Sequence, residues 1–163
     1  MKIPNVLACL SAVFAATHVL ACADDHGAHE AETPEQEACE HLGGSAASAV
    51  VATDDKAAAL PPDVSKAHTK FAVTLPADAS GTYGGSVRFL APAKKQYLLV
   101  IDTAVPFQLF DSAGKAVDAV AGATKATCAA VGAQAVYSLD VATYRLRIGP
   151  ASKAAVGMLF EAK

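Results

Sequence analysis

From residue 70 onward, apolar and polar residues alternate in short runs separated by turn signals, and that two-residue period commits the chain to strands. In residues 68–75, Phe71, Val73 and Leu75 fall on one face, with Lys70 and Thr74 on the other. Val87, Phe89 and Ala91 alternate with Ser86 and Arg88, Phe107 and Leu109 flank Gln108, and Tyr144, Leu146 and Ile148 alternate with Arg145 and Arg147. Residues 97–101 are apolar throughout, the pattern of a strand buried on both faces. Further strands are expected over 115–120, over 134–140 and through Val156, Met158 and Phe160. Asp111-Ser112-Ala113-Gly114 is a tight-turn sequence, 76–85 reads as a turn region, and Gly149-Pro150 as a chain reversal. About eight short strands with turns every eight to twelve residues predict an all-β protein, an antiparallel β-sandwich.

Composition restricts where that sandwich can find a core. The 53% hydrophobic fraction is largely alanine, and tryptophan is absent, so the large apolar residues after position 70 must form it. Residues 23–41 hold seven acids and no Lys or Arg, whereas residues 68–163 hold ten Lys/Arg against six Asp/Glu. The chain reads as an acidic arm attached to a mildly basic domain. Positive charge this scattered argues against nucleic acid as a partner. Residues 44–67, rich in Ala and Ser and ending near Pro61-Pro62, read as a linker, with Ser48 to Thr53 able to add a short edge strand. The Ala/Gly-rich stretch 119–133 carries no strand pattern and has room for a helical turn.

The stretches Phe71-Ala72-Val73-Thr74-Leu75-Pro76-Ala77, Phe107-Gln108-Leu109-Phe110-Asp111-Ser112-Ala113-Gly114 and Leu139-Asp140-Val141-Ala142-Thr143-Tyr144-Arg145-Leu146 together resemble the pre-peptidase C-terminal β-sandwich. The resemblance spans about residues 68–162 and implies a jelly-roll-like accessory module for binding or secretion rather than a catalyst. Ala142 stands where that family normally has Gly before Thr-Tyr, and its acidic calcium positions are not evident. With its Cys39-Glu40-His41 run, the chain is also similar to small Gram-negative lipoproteins bearing a Cys-Glu-His tail motif.

The N-terminus has the layout of an export signal: Lys2, an apolar run over 6–16, then small residues. That run is too short to span a bilayer, which needs about 20 apolar residues. Val19-Leu20-Ala21-Cys22 resembles a bacterial lipobox. The resemblance implies that residues 1–21 are removed and that Cys22 is lipidated and becomes the mature N-terminus. Ala23, rather than Asp, follows that cysteine, which favours the outer membrane over inner-membrane retention. The expected organisation is therefore a signal over 1–21, a lipidated arm and linker over 22–67, and a sandwich over 68–163.

Cys9 leaves with the signal and Cys22 is taken by lipid, so Cys39 and Cys128 remain and are expected to form a disulfide in an oxidising compartment. A helix that carries Cys39 is predicted: Thr33 as N-cap, Pro34 at the first position, Gln36 completing a capping box, and Gly43-Gly44 as the stop. At about two turns it must dock or fray.

Three of the four histidines beyond the signal precede residue 42. His26 and His29 lie beside Glu30, while Glu37, Glu40 and His41 share one helix face at i, i+3 and i+4. Imidazole with carboxylate suits zinc or copper, so His26, His29, Glu37 and His41 are the candidate ligands. A flexible arm loses entropy on ordering, so weak binding is expected. Cys39 and His41 lie about 200° apart around a helix, which suggests Cys39 inward to Cys128 and His41 outward. His68 is expected at a solvated strand edge, with a role only if the arm folds back to bring His41 near it. Arg88, Arg145 and Arg147 sit on polar strand faces that the acidic arm could cover.

The sequence contains no nucleophile elbow, phosphate loop or His-Glu-x-x-His run, so no enzyme is expected. The expected function is a lipid-anchored, non-catalytic β-sandwich binding module facing the periplasm, with weak zinc or copper binding in its arm. A structural or protein-interaction lipoprotein with the arm as spacer is the alternative.

Overall fold

The apolar run Tyr97–Ile101 has a layer on each side of it. In the computed structural model, which describes residues 32–44, 46–54 and 59–163, it belongs to a strand between a sandwich core and a docked helix. Among the described residues there are one helix, α1 (Pro34–Gly44), and nine strands: β1 (Ser48–Val51), β2 (Phe71–Thr74), β3 (Tyr83–Ala91), β4 (Lys95–Ile101), β5 (Phe107–Phe110), β6 (Ala116–Val117), β7 (Ala133–Leu139), β8 (Ala142–Ala151) and β9 (Ala155–Ala162). They form a five-stranded sheet, β1-β2-β9-β4-β7, and a four-stranded sheet, β3-β8-β5-β6. All pairs are antiparallel except β1 with β2. The expected all-β sandwich with a preceding helix is the fold observed.

The alternation divides the residues between layers. Phe71 and Val73 of β2, Leu99 and Ile101 of β4, and Met158 and Phe160 of β9 meet Val87, Phe89, Leu109, Leu146 and Ile148 from the other sheet. Phe89 stacks on Phe160 with ring centroids 3.9 Å apart. The opposite parity of the larger sheet, Leu98, Val100, Val136 and Leu159, is buried beneath Ala38 and Leu42 of α1 and Ala126 of the 119–131 stretch. Tyr144, from the Thr-Tyr pair, donates its hydroxyl to Asp140 O at 3.1 Å and closes the β7–β8 turn.

Two segments differ from expectation. The stretch expected as linker belongs to the same compact unit as the sandwich, Ala31–Lys163. After β1, Ser86 donates to Thr53 O (2.8 Å) and Val64 to Arg88 O (3.0 Å), so the chain crosses from an edge of one sheet to an edge of the other. Val64 is fully buried in the core. This crossing needs Gly85, where a Cβ would lie 2.9 Å from Thr53 O, and Tyr83 to Gly85, expected as turn, pair with β8 as strand. Gly149-Pro150, expected to reverse the chain, lies within β8 instead. Gly149 takes φ +115° opposite a register shift between Tyr83 and Gly85, so a glycine absorbs the irregularity and the reversal comes after Ala151.

The signal, Cys22, His26 and His29 lie outside the described residues. No helix among the described residues is long and apolar enough to cross a membrane.

Candidate metal centre

The sequence of α1 sets its position before any functional group is considered. The capping box is formed: Thr33 N–H donates to Gln36 Oε1 at 2.8 Å, and Gln36 N–H to Thr33 Oγ1 at 3.3 Å. At the other end, Lys70 Nζ donates to Leu42 O at 2.7 Å, a cation on an otherwise orphaned helix carbonyl. Ala38 and Leu42 face the sheet. Lys163 pairs with Glu35 and also donates to Thr124 O at 3.1 Å. Burial alone would raise the Glu35 carboxyl, but the hydrogen bond and charge of Lys163, with backbone and Thr33 hydrogen bonds, bring it below its usual value. The Cys39–Cys128 disulfide is present, with Cα atoms 5.9 Å apart, and it joins the helix to the 119–131 stretch.

With Ala38 and Leu42 facing the sheet, Cys39 and His41 occupy opposite flanks of the helix. The expectation that His41 points outward is therefore corrected. The 200° separation from Cys39 is right, but the inward direction bisects the two residues instead of lying along Cys39. Cys39 reaches the 119–131 stretch, and His41 reaches over the end of β9. There its Nδ1 lies 2.8 Å from Glu161 Oε1.

Glu161 is what the sequence reading missed. In β9, Val156, Met158 and Phe160 face the sandwich core, so Gly157, Leu159 and Glu161 face outward, into the layer covered by α1. The Glu161 side chain is only 2% exposed. Its second oxygen lies 3.3 Å from Nδ1 of His68. His68 lies in the turn three residues before β2, whose first residue, Phe71, pairs with Met158 of β9. His68 adopts φ +50°, the left-handed region, where non-glycine residues are uncommon although histidine is enriched. His68 is half exposed, yet not the isolated strand-edge residue expected, because the arm folds back and the two imidazole centroids stand 5.4 Å apart.

The result is a His41–His68–Glu161 cluster whose potential ligand atoms all lie within 4.8 Å of one another. Of the other helix-face candidates, Glu37 approaches His68, with Oε1 3.9 Å from Nδ1, and Glu40 is exposed. A buried carboxylate carries a desolvation cost of several kcal/mol unless positive charge or hydrogen bonds compensate it. Among the described residues, the side chains that compensate Glu161 are imidazoles. Two nitrogens and a carboxylate meeting at one point can share protons or hold a transition metal.

The arginines lie on the four-stranded sheet, whereas α1 covers the five-stranded one. Arg88 pairs with Asp63 (3.5 Å) and Arg145 lies over the Phe110 ring at 5.4 Å, so the acidic helix does not cover them. No protein-family model matches this chain, and no curated protein matches it.

Proposed function

We propose that the protein is a lipid-anchored lipoprotein of a bacterial envelope, tethered through Cys22 to the outer membrane and facing the periplasm. Its sandwich serves as a non-catalytic binding module. The observation that carries this reading is the way α1 is fastened. A short helix from the arm is held on the sandwich by a disulfide, and histidines and a buried carboxylate converge at its flank. A disulfide of this kind suits an exported protein, in keeping with the lipobox-like Val19-Leu20-Ala21-Cys22. The resemblance to pre-peptidase C-terminal modules supports an accessory binding role, and zinc or copper is the ligand class the donor set suits. Binding is assigned to the covered face of the five-stranded sheet, because that is where chemistry-bearing side chains converge. The anchor is tested with Cys22→Ser. That variant should lose label from a radiolabelled fatty acid and leave the membrane fraction. Unchanged membrane fractionation would overturn the anchored reading.

A further inference from the structure

We infer that His41, His68 and Glu161 are the ligands of a mononuclear zinc- or copper-class site, and that Glu37 is its closing fourth ligand. The inference rests on the reading of the sandwich as a binding module and deepens it by naming the site. It is independent of the anchor.

The spacing comes first. Zinc holds nitrogen and oxygen ligands at about 2.0–2.2 Å in a tetrahedron, which places neighbouring donor atoms about 3.3–3.5 Å apart. Here the two imidazole Nδ1 atoms lie 2.8 and 3.3 Å from the two oxygens of one carboxylate. For an ion to enter, the closer pair must open from its hydrogen-bond distance to that spacing. Glu37 stands one helical turn before His41 on the same stripe, and its Oε1 is 3.9 Å from His68 Nδ1. It is half-buried, on the side of the helix from which a fourth position would be reached.

The donor set then limits the metal. Calcium and magnesium take oxygen cages of six or more ligands. Two imidazoles with one or two carboxylates suit zinc, copper or nickel. Burial gives the Glu161 carboxyl a reason to hold a cation, since it has been removed from water and a bound divalent ion would offset that desolvation cost.

The scaffold supplies preorganisation. His41 lies on a helix fastened by a disulfide, a C-terminal lysine cap and the Lys163–Glu35 pair. Glu161 lies on a strand hydrogen-bonded on both sides, and His68 is set by the turn into β2. Such a site differs from the weak one expected of a flexible arm, because most of the ordering cost is met on folding. His68 remains half exposed, which leaves a path for the ion.

The test uses the disulfide-bonded chain carrying Cys22→Ser, so that the outcome is separate from membrane attachment. Zinc and copper are titrated calorimetrically, and the copper form is examined by electron paramagnetic resonance. One equivalent should bind, with hyperfine coupling from two imidazole nitrogens. His68→Ala should weaken binding by at least the roughly 10–100-fold that loss of an outer-shell partner produces, with folding of the variant confirmed by circular dichroism. Glu161→Gln should do the same. His26→Ala/His29→Ala should bind as the parent does. The inference is overturned if the parent takes up no metal. It is also overturned if binding survives His68→Ala, or if it disappears in His26→Ala/His29→Ala. A failure of the Cys22→Ser fractionation experiment leaves every arm of this test intact.

Discussion

Replacing Cys39 and Cys128 together by alanine should remove the strongest single constraint on the chain. The disulfide joins residues 89 apart, enclosing the crossing segment and most of both sheets. In the chain-entropy model, freeing a loop of that length costs roughly 4–5 kcal/mol of stability. In urea, with a slope of about 2 kcal/mol/M for a small domain, the unfolding midpoint should fall by roughly 2 M. A local effect accompanies the global one. An isolated helix shorter than about 12–15 residues is marginal in water, and α1 has 11 residues with only Ala38 and Leu42 fully buried. Without the disulfide, its remaining fastenings are that pair of side chains, the His41–Glu161 hydrogen bond, Lys70 at one end and Lys163 near the other. Hydrogen exchange should show the amides of α1 opening well before those of β4 and β9. The reasoning fails if the double variant loses less than about 1 kcal/mol while its α1 amides stay as protected as those of the central strands.

Other consequences are smaller or more local. Leu42→Ala empties a fully buried position between α1 and the sheet, and should cost about 2–5 kcal/mol in denaturant unfolding. Asp78 accepts hydrogen bonds from the hydroxyls of Ser80 and Thr82 and from their backbone N–H groups, and its carboxyl is lowered from 3.8 to about 2. A lowered folded-state value means that its contribution is present above pH 3.8 and lost as pH falls through about 2. NMR titration should find that low midpoint, and Ser80→Ala should move it back towards 3.8. Burial pushes the Tyr137 hydroxyl up to about 12, so in a spectrophotometric titration it should ionise after an unperturbed tyrosine near 10.

The strands were legible because each carries large apolar residues at every second position, with turn residues between. Even the run 97–101 of β4, apolar throughout, announced a second covering layer without saying what the layer was. Most of that layer is small. Ala38, Ala126 and Ala130 are alanines like those in true linkers, and hydropathy alone does not separate the two. The edge strand anticipated over Ser48 to Thr53 is β1, where Val50 packs against the core and Val51 is exposed. Helix α1 could be read down to its capping box because the cap is local chemistry. Its orientation on the sheet could not, because that depends on which flank the disulfide takes. For the cluster, His41 and Glu37 were on the page as candidates and His68 as a conditional one. Glu161 gave a single usable signal: its parity. Phe160 faces the core, so Glu161 shares the outward face of Leu159, and only a covering helix makes that position dry.

The strand that carries Glu161 is the last in chain order and the middle one of its sheet, hydrogen-bonded to β2 on one side and β4 on the other. A nascent or partly delivered chain lacking residues 155–162 therefore holds two strand pairs with an open slot between them, and no five-stranded sheet for α1 to rest on. The five-stranded sheet is complete only when its last strand is in place. Long-range pairing of this kind folds slowly and leaves unpaired edges exposed until it is complete. The slot and the strand that fills it are also separable in principle: a cut in the turn between β8 and β9 would divide the protein into a receptive scaffold and a short complementary strand.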